Sequence, residues 1–408
     1  MKLSEIATFV EDKISCNSIS LADYVTTDSL LPNKEGKALA TNLPPVICSL
    51  THYRQGDVLV ANIRPYLKKV WHADKEGGCS SDVLVFRAKE GCRSSFLYAV
   101  LLQDRFFDYA MKGAKGSKMP RGDKDQIMRY KLPIFSLQEQ ENIGNFVIGV
   151  TNKLWLNRAI NHNLEAMAKQ LYDYWFVQFD FPDENGRPYK SSGGKMVWNE
   201  KLKREVPVLW EAKLVDDIAE VFNGATPSTT DEQNYGGNIV WITPKDLSDQ
   251  KHKFVYYGER NISQTGYDSC STHLLPINTI LMSSRAPIGL LAIAKTELCT
   301  NQGFKSFVPK EESLAVYLYY YLQIHIKQIE QLGTGTTFKE ISREDVLKFP
   351  ILRPNNETLN LWKENVTTMN DRQLELQKEN ENLTKLRDEL LPLLMNGQVS
   401  VNYDLAHD

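Results

Sequence analysis

The sequence is poor in cysteine and has no long uninterrupted apolar run. Its six cysteines are spread over 408 residues without a C-x-x-C pair or a regular spacing, which fits neither a zinc ribbon nor a secreted disulfide framework. The N-terminal residues lack an apolar signal core, and the most apolar later stretch, 279–294, is interrupted by Ser283, Ser284 and Arg285. We therefore expect a soluble, cytoplasmic protein in a reducing compartment, with no membrane contact.

An excess of one charge sign is also missing. The chain has 48 Lys and Arg against 51 Asp and Glu, a formal net charge of −3, so it is not a polycation of the kind that coats nucleic acid indiscriminately. Any surface for a polyanion must be local. Its length and its 42% hydrophobic content indicate a globular protein of two or three domains.

No complete catalytic motif is present. The absence of a G-x-x-x-x-G-K-[ST] loop excludes a P-loop ATPase, and there is no H-E-x-x-H metal motif. The stretch GTGTTF at Gly333 lacks the last glycine of a dinucleotide-binding fingerprint. We predict that the chain has no catalytic residues, no metal site and no cofactor of its own.

What is present is an internal repeat. At an offset of 220, Cys79 matches Cys299, Leu102-Gln103 matches Leu322-Gln323, and Gly113 matches Gly333. After a three-residue slip, KLPI at Lys131 matches KFPI at Lys348. The shared order and near-constant spacing of these matches predict a tandem duplication.

Each copy has a region punctuated by Gly and Pro, followed by a long stretch with neither. The first kind predicts a mixed, strand-rich domain, with strands at 57–61, 83–87, 238–242, 279–283 and 305–308 and with helices at 95–111 and 313–331. The second kind predicts a long helix. The expected fold class is α+β, with this organisation: a strand-rich domain at 1–135, a helix at 136–180, a linker and second strand-rich domain at 181–352, and a second helix at 353–400.

The long helices carry apolar seams of period 3.5. The period favours an antiparallel coiled coil between them, with the two strand-rich domains at opposite ends of a rod. Polar residues in each seam, among them Asn157 and Arg387, would fix register and partner. Pro392 and Gly397 are expected to terminate the second helix. The predicted interface positions are Val147, Leu154, Leu164, Leu171, Met369, Leu376, Leu383 and Leu390.

Positive charge collects in the strand-rich domains and negative charge on the second helix. Residues 111–131 carry seven basic residues against two acidic ones, whereas 356–390 carry five against eight. Residues 60–75 add four basic residues against one acidic one. A polyanion would meet these two basic stretches, and a solvated basic loop is the alternative explanation of either one alone. Polar and basic residues in nearby glycine-bearing loops could contact phosphates and base edges. The candidates are Arg64, Tyr66, Lys68, Lys115, Ser117, Lys118, Arg121, Thr226, Ser228, Lys245, Ser284, Arg285, Asn301, Gln302, Thr336, Thr337 and Lys339.

Several longer stretches resemble the specificity subunit of type I DNA restriction-modification systems. The resemblance is carried by PVLWE at Pro207 with KLVDDIAEVFNGATPS, NIVWITPKDL, SSRAPIG and GTGTTFKEISREDVLKFPI, and by LRDELLPLLMNGQV near the end. It covers essentially the whole chain. The first copy departs from the family pattern, because it begins without the Pro and Trp-Glu motif and lacks a G-x-T-P-S stretch. Its contact residues are the less specified set.

The resemblance implies a non-catalytic reader of double-stranded DNA. Each strand-rich domain would be a target-recognition domain for one half of an asymmetric bipartite site, and the helices would set the spacer. Two modification subunits would supply S-adenosylmethionine-dependent adenine methylation. Restriction subunits, with ATP and Mg, would cleave the DNA. The bases recognised, the spacer length and the presence of a restriction subunit are not encoded in any motif.

Two other classes of function fit less of the sequence. A single-chain restriction enzyme would need catalytic motifs in the same 408 residues. A coiled-coil adaptor without sequence-specific DNA reading would explain the helices but not the polar loops, and it is the alternative.

Overall fold

The computed structural model describes residues 1–44, 46, 48–335 and 339–401. The chain divides into two compact units. The first unit comprises residues 1–160 and those from Lys378 onward, and the second comprises Asn161–Gln377.

The first unit contains two four-stranded sheets, ordered β1-β8-β5-β6 and β2-β4-β7-β3. Its strands are β1 (Ala7–Phe9), β2 (Lys13–Ser15), β3 (Tyr24–Val25), β4 (Ser49–Tyr53), β5 (Val58–Ala61), β6 (Val70–His72), β7 (Gly77–Cys79) and β8 (Val83–Ala88). Its helices are α1 (Leu3–Ile6), α2 (Ser94–Leu102), α3 (Asp104–Lys112), α4 (Lys124–Met128) and the start of α5 (Leu137–Tyr172).

The strand β5 of the first unit is apolar along its whole length because both faces of its sheet are covered. Val58 and Val60 of β5 belong to one buried cluster, which contains the helices, whereas Leu59 and Ala61 belong to another. Successive side chains of a strand point to opposite faces. A continuous apolar run is therefore required here in place of an alternating one.

The second unit contains a five-stranded sheet, β12-β19-β16-β17-β14, a three-stranded sheet, β15-β13-β18, and the pairs β11-β20 and β10-β9. Its strands are β9 (Met196–Asn199), β10 (Arg204–Pro207), β11 (Glu211–Leu214), β12 (Ala219–Asn223), β13 (Tyr235–Ile242), β14 (Phe254–Val255), β15 (Arg260–Ile262), β16 (Ile280–Ser284), β17 (Ile288–Ala294), β18 (Cys299–Thr300), β19 (Phe304–Pro309) and β20 (Pro350–Arg353). Its helices are α6 (Val215–Ile218), α7 (Pro244–Gln250), α8 (Gln264–Asp268), α9 (Leu314–Gln331), α10 (Arg343–Leu347) and α11 (Asn356–Met395), which continues into the first unit.

The predicted duplication is present in the strand topology. The order β1-β8-β5-β6 of the first unit recurs as β12-β19-β16-β17 in the second. The pair β3 and β7 is parallel, with Val25 opposite Cys79, and the pair β13 and β18 is parallel, with Trp241 opposite Cys299. All five predicted strands exist, so the α+β fold class with two strand-rich domains is confirmed.

The long helices pack antiparallel within each unit, as the seams predicted. In the first unit, Asn142 Nδ2 donates to Val401 O (3.1 Å) and Asn157 Nδ2 donates to Glu379 Oε2 (2.7 Å). In the second unit, Gln373 Nε2 donates to Asn161 O (3.3 Å). As residue numbers rise along α5, those of its partners on α11 and on the segment that follows α11 fall.

The buried stripe of α11 is wider than the predicted heptad. Leu376 is fully buried, whereas Met369, Leu383 and Leu390 are half-buried. A strict seven-residue repeat drifts by about 20° per heptad on a straight helix. The polar residues Asn370, Gln373, Gln377 and Arg387 are buried as well. Val147 and Leu154 of α5 are buried, and Leu164 and Leu171 are half-buried.

Two details of the predicted helices are wrong. The helix expected at 95–111 is interrupted at Gln103, which is extended (φ −67°, ψ 141°) and forms the N-cap of α3. The Gln103 amide donates to Val100 O (3.2 Å), so it satisfies a carbonyl at the end of α2, and Asp104 then favours a new helix start.

Pro392 does not terminate α11, which continues to Met395. A proline so near a helix end removes only one intrahelical hydrogen bond, and the next turn still forms, since Asn396 N donates to Pro392 O (3.1 Å). The helix ends at Met395, and the chain turns away at Gly397, whose positive φ of 69° suits glycine. Within the described ranges, no helix is both long and apolar enough to cross a membrane.

Candidate nucleic-acid interface

Seven of the predicted contact residues meet in one place in the first unit. We call residues 62–69 and 112–122 the first loop cluster. Arg64 N donates to Pro120 O (2.8 Å), and Gly122 N donates to the carbonyl oxygen of Asn62 (3.1 Å). These hydrogen bonds join the two loops. The cluster holds Arg64, Tyr66, Lys68, Lys115, Ser117, Lys118 and Arg121.

The backbone of this cluster is fixed by tight turns. Arg64 and Lys68, both left-handed at φ 52°, bracket the 3₁₀ turn Pro65–Leu67. Lys115 and Arg121 exchange two backbone hydrogen bonds of 2.9 Å, which close a hairpin that turns at Gly116, where φ is +98°. Only glycine adopts that conformation without strain. The hairpin tip therefore projects the side chains between Gly116 and Arg121.

The first loop cluster carries seven basic residues and no acidic one. Some of these bases form ion pairs with acidic neighbours. The Lys115 ammonium group lies 3.3 Å from the Asp123 carboxylate, and the Arg121 guanidinium lies 3.0 Å from the Asp82 carboxylate. A hydrogen bond from the Gln126 backbone N–H and another from Lys115 lower the pKa of Asp123. Exposed ion pairs are worth at most about 1 kcal/mol. These bases can therefore exchange their carboxylates for phosphates.

The corresponding place in the second unit holds a second set of predicted residues. We call residues 224–228, 284–287, 300–303, 333–335 and 339–341 the second loop cluster. Ala225 N donates to Thr300 O (3.0 Å), and Ile341 N donates to Ser284 O (3.1 Å). The Thr226 hydroxyl donates to the Gln302 side-chain oxygen. The cluster holds Thr226, Ser228, Ser284, Arg285, Asn301, Gln302 and Lys339.

Three predicted contact residues are not in this cluster as described. Lys245 lies on α7, where it is exposed and pairs with Glu259 at 2.8 Å. Thr336 and Thr337 lie outside the described residues.

The side chains of two members of the cluster are held within the fold, one by burial and one by a hydrogen bond inside a turn. Ser284 is fully buried, so its hydroxyl does not reach the surface in this conformation. The Asn301 side-chain oxygen accepts from Gly303 N (2.9 Å) and shapes the turn between β18 and β19. Ser228, Gln302 and Lys339 are exposed, so their side chains can be reached from solvent.

The two loop clusters share one backbone scaffold. Asn62 and Ser284 occupy equivalent positions at the ends of β5 and β16: their N–H groups donate to Asp82 O (2.9 Å) and Gly303 O (2.7 Å), respectively. Thr334 and Glu340 exchange two backbone hydrogen bonds (3.1 and 3.0 Å), as Lys115 and Arg121 do. The side chains on this scaffold differ, with a run of bases in the first cluster and mainly hydroxyls and amides in the second.

The sequence reasoning missed one charged group beneath the second cluster. Lys305 is only 5% exposed, and its Nζ lies 3.8 Å from the Glu340 carboxylate, which lies equally far from the Arg285 guanidinium. Burial lowers the pKa of Lys305. The repeat held a usable signal, since Lys305 pairs with Met282 where Leu84 of the first copy pairs with Val60. A lysine at the position of a core leucine indicates that the second domain holds polar groups in its interior at this point.

Comparison with known proteins agrees with this architecture. Residues 207–383 match the family described as the type I restriction modification DNA specificity domain. The MjaIX specificity subunit of Methanocaldococcus jannaschii is 36% identical over 202 residues, which span 48% of this chain and 47% of that protein. The chain thus spans about half the length of that relative. The HindI specificity subunit of Haemophilus influenzae is 23% identical over 97% of this chain and 98% of its own length.

A solved structure shares the fold. The S subunit of a type I restriction-modification system from M. genitalium has a TM-score of 0.63 at 14% identity, covering 97% of this chain and 95% of that one. The chain thus has the fold of that S subunit, with one loop cluster in each strand-rich domain. The family match over residues 207–383 and the similarity of the chain to specificity subunits of type I restriction enzymes confirm the resemblance carried by its motifs.

Proposed function

We propose that this chain is the sequence-specific DNA-binding subunit of a type I restriction-modification complex. Each loop cluster would read one half of an asymmetric, bipartite target in double-stranded DNA. The observation that carries the proposal is the pairing of one backbone scaffold with two different sets of side chains. A repeated scaffold gives two reading sites, and different side chains give two different half-sites.

The two clusters are suited to different kinds of DNA contact. The first cluster, with seven basic residues and no acidic one, is suited to phosphates, which position a protein on DNA without reading its sequence. The hydroxyl and amide groups of the second, such as Thr226 and Gln302, are suited to base edges. The exposed aromatic ring of Tyr66 is available for contact beside the basic residues of the first cluster.

The chemistry would be supplied by partner subunits. Two modification subunits would bring S-adenosylmethionine and methylate adenine, and restriction subunits would cleave DNA with ATP and Mg. The relatives named above are specificity subunits of type I restriction enzymes. This chain would act as a non-catalytic, cytoplasmic component that directs these partners to their target.

Exchange of one recognition domain tests the proposal. Residues 207–352 are replaced by the aligned segment of a relative, and the hybrid is expressed with the modification subunit. The methylated motif should change in one half only. A hybrid that forms the complex but keeps both halves of the motif would refute the assignment of one half-site to each domain. A wild-type complex that selects no DNA sequence would favour the adaptor function.

A further inference from the structure

A buried lysine lies at the start of β14 in the second unit, away from both loop clusters. The Lys253 side chain is 10% exposed. Its Nζ lies 2.9 Å from Glu165 Oε2, 2.7 Å from the Tyr320 hydroxyl, 2.8 Å from Asn370 Oδ1 and 3.1 Å from Gln373 Oε1. These four acceptors belong to α5, α9 and α11. One side chain thus ties a strand of the recognition domain to three helices.

The partners of Lys253 also bind one another. An ammonium group has three N–H donors, one fewer than the four oxygens around it, so at least one donor is shared. Glu165 Oε2 accepts from the Tyr320 hydroxyl (3.1 Å) and from Gln373 Nε2 (3.2 Å). One turn further along α11, Gln377 Nε2 donates to Phe254 O (3.0 Å). The result is a connected polar network inside a helix-to-sheet contact.

Stability alone does not explain such a network. Burying an ion pair costs desolvation energy, and well-packed apolar side chains of similar volume often stabilise a protein equally well. Apolar contacts, however, are non-directional, whereas hydrogen bonds prescribe distance and angle. The network around Lys253 therefore fixes one orientation of β14 on the helices, where an apolar contact would tolerate several.

The strands connect this anchor to the second loop cluster. Phe254 of β14 pairs with Ile293 of β17, and β17 pairs with β16 as far as Ile288 opposite Ser284. The loop between these two strands carries Arg285. A continuous hydrogen-bonded sheet thus runs from Lys253 to the predicted DNA contacts.

We infer that Lys253 is a positioning residue: it fixes the second recognition domain on the α5 and α11 segments of its unit, and so restricts which spacer lengths between half-sites are methylated. The inference rests on the proposed function. Lys253 contacts no DNA in this account. Its loss should leave the half-site sequences unchanged and relax only the spacer requirement.

The test compares methylation of DNA duplexes that carry the same two half-sites with the native spacer or with one base pair more or less. The chain is used in its complex with the modification subunit. Lys253→Met keeps an unbranched side chain but removes the charge-assisted hydrogen bonds, and it should lower the preference for the native spacer about tenfold. Lys327→Met, at an exposed lysine of α9, is the matched control and should keep the wild-type preference.

A milder variant covers the case in which Lys253→Met fails to fold. Tyr320→Phe removes a single oxygen from the network and should shift the spacer preference in the same direction by a smaller factor. Variants that melt earlier but keep the wild-type spacer preference would overturn the inference and leave Lys253 a merely structural residue. A wild-type complex that methylates no split motif would instead refute the proposed function on which the inference rests.

Discussion

The hairpin tip of the first loop cluster gives the sharpest test of DNA contact. Lys118 and Arg121 are both exposed, and replacing both by alanine removes two positive charges without opening the core. Surface substitutions of this kind change the free energy of unfolding by about 0.5 kcal/mol or less. Arg121 loses an exposed ion pair with Asp82, which is worth at most about 1 kcal/mol. Folding should therefore be nearly unchanged.

The expected loss of binding follows from counterion release. Each phosphate neutralised by a lysine or arginine contributes about 0.9 to the slope of log K against log salt. Of the seven bases in the cluster, Lys69 is turned inward onto Thr27 O. The other six would give a slope of about 5.4. Removing two of them should lower the slope by about 1.8, so that the advantage of the wild type shrinks about twelvefold between 50 and 200 mM salt.

The assay is equilibrium binding of the complex to a labelled duplex by fluorescence anisotropy at several salt concentrations. Lys2→Ala with Lys13→Ala is the control, because it removes the same charge from exposed positions of the first unit outside the loop cluster. The reasoning is refuted if the double variant at the hairpin keeps the wild-type salt slope, or if the control lowers the slope equally.

Three further predictions concern other parts of the molecule. Leu376→Asp with Leu383→Asp should destabilise the fold by at least about 3 kcal/mol and abolish assembly with the modification subunit. The control Leu386→Asp, at a position 42% exposed, should have neither effect. Equal melting temperatures of the double variant and the control would contradict the helix pairing. Glu340→Gln removes a carboxylate that faces two bases and should tighten DNA binding about threefold at low salt; unchanged or weaker binding would count against this site. Burial lowers the pKa of Lys253 to about 8 from its ordinary 10.5, so between these pH values the unfolded chain binds more protons than the folded chain. The melting temperature of the wild type relative to that of Lys253→Met should therefore rise from pH 8 to pH 10.5. A constant difference would show that Lys253 does not titrate in this range.

The repeat and the apolar patterning predicted most of the fold, because both are properties of local sequence. The strands β5 and β16 were found from continuous apolar runs, and the two long helices from period-3.5 seams. The break at Gln103 was missed because it depends on a side chain that caps the preceding helix. The grouping of loops into clusters follows from the duplication, although no single loop predicts it.

The charged groups that lie beneath the surface could not be predicted from any local pattern. Lys305 sits in an apolar strand, where its burial and its distance to Glu340 depend on sheet pairing. Lys253 meets partners that are 67 to 120 positions away in the chain. The boundaries of the four predicted regions remain predictions. So do the contact residues and the partner subunits, since these depend on DNA and on proteins that bind this chain.

The most direct test of the central claim is the methylome of a host that expresses this chain with its modification subunit. The account predicts one methylated, split and asymmetric motif that disappears when this chain is omitted. A stable complex of both subunits that produces no methylated motif, or one that produces the same motif without this chain, would contradict it.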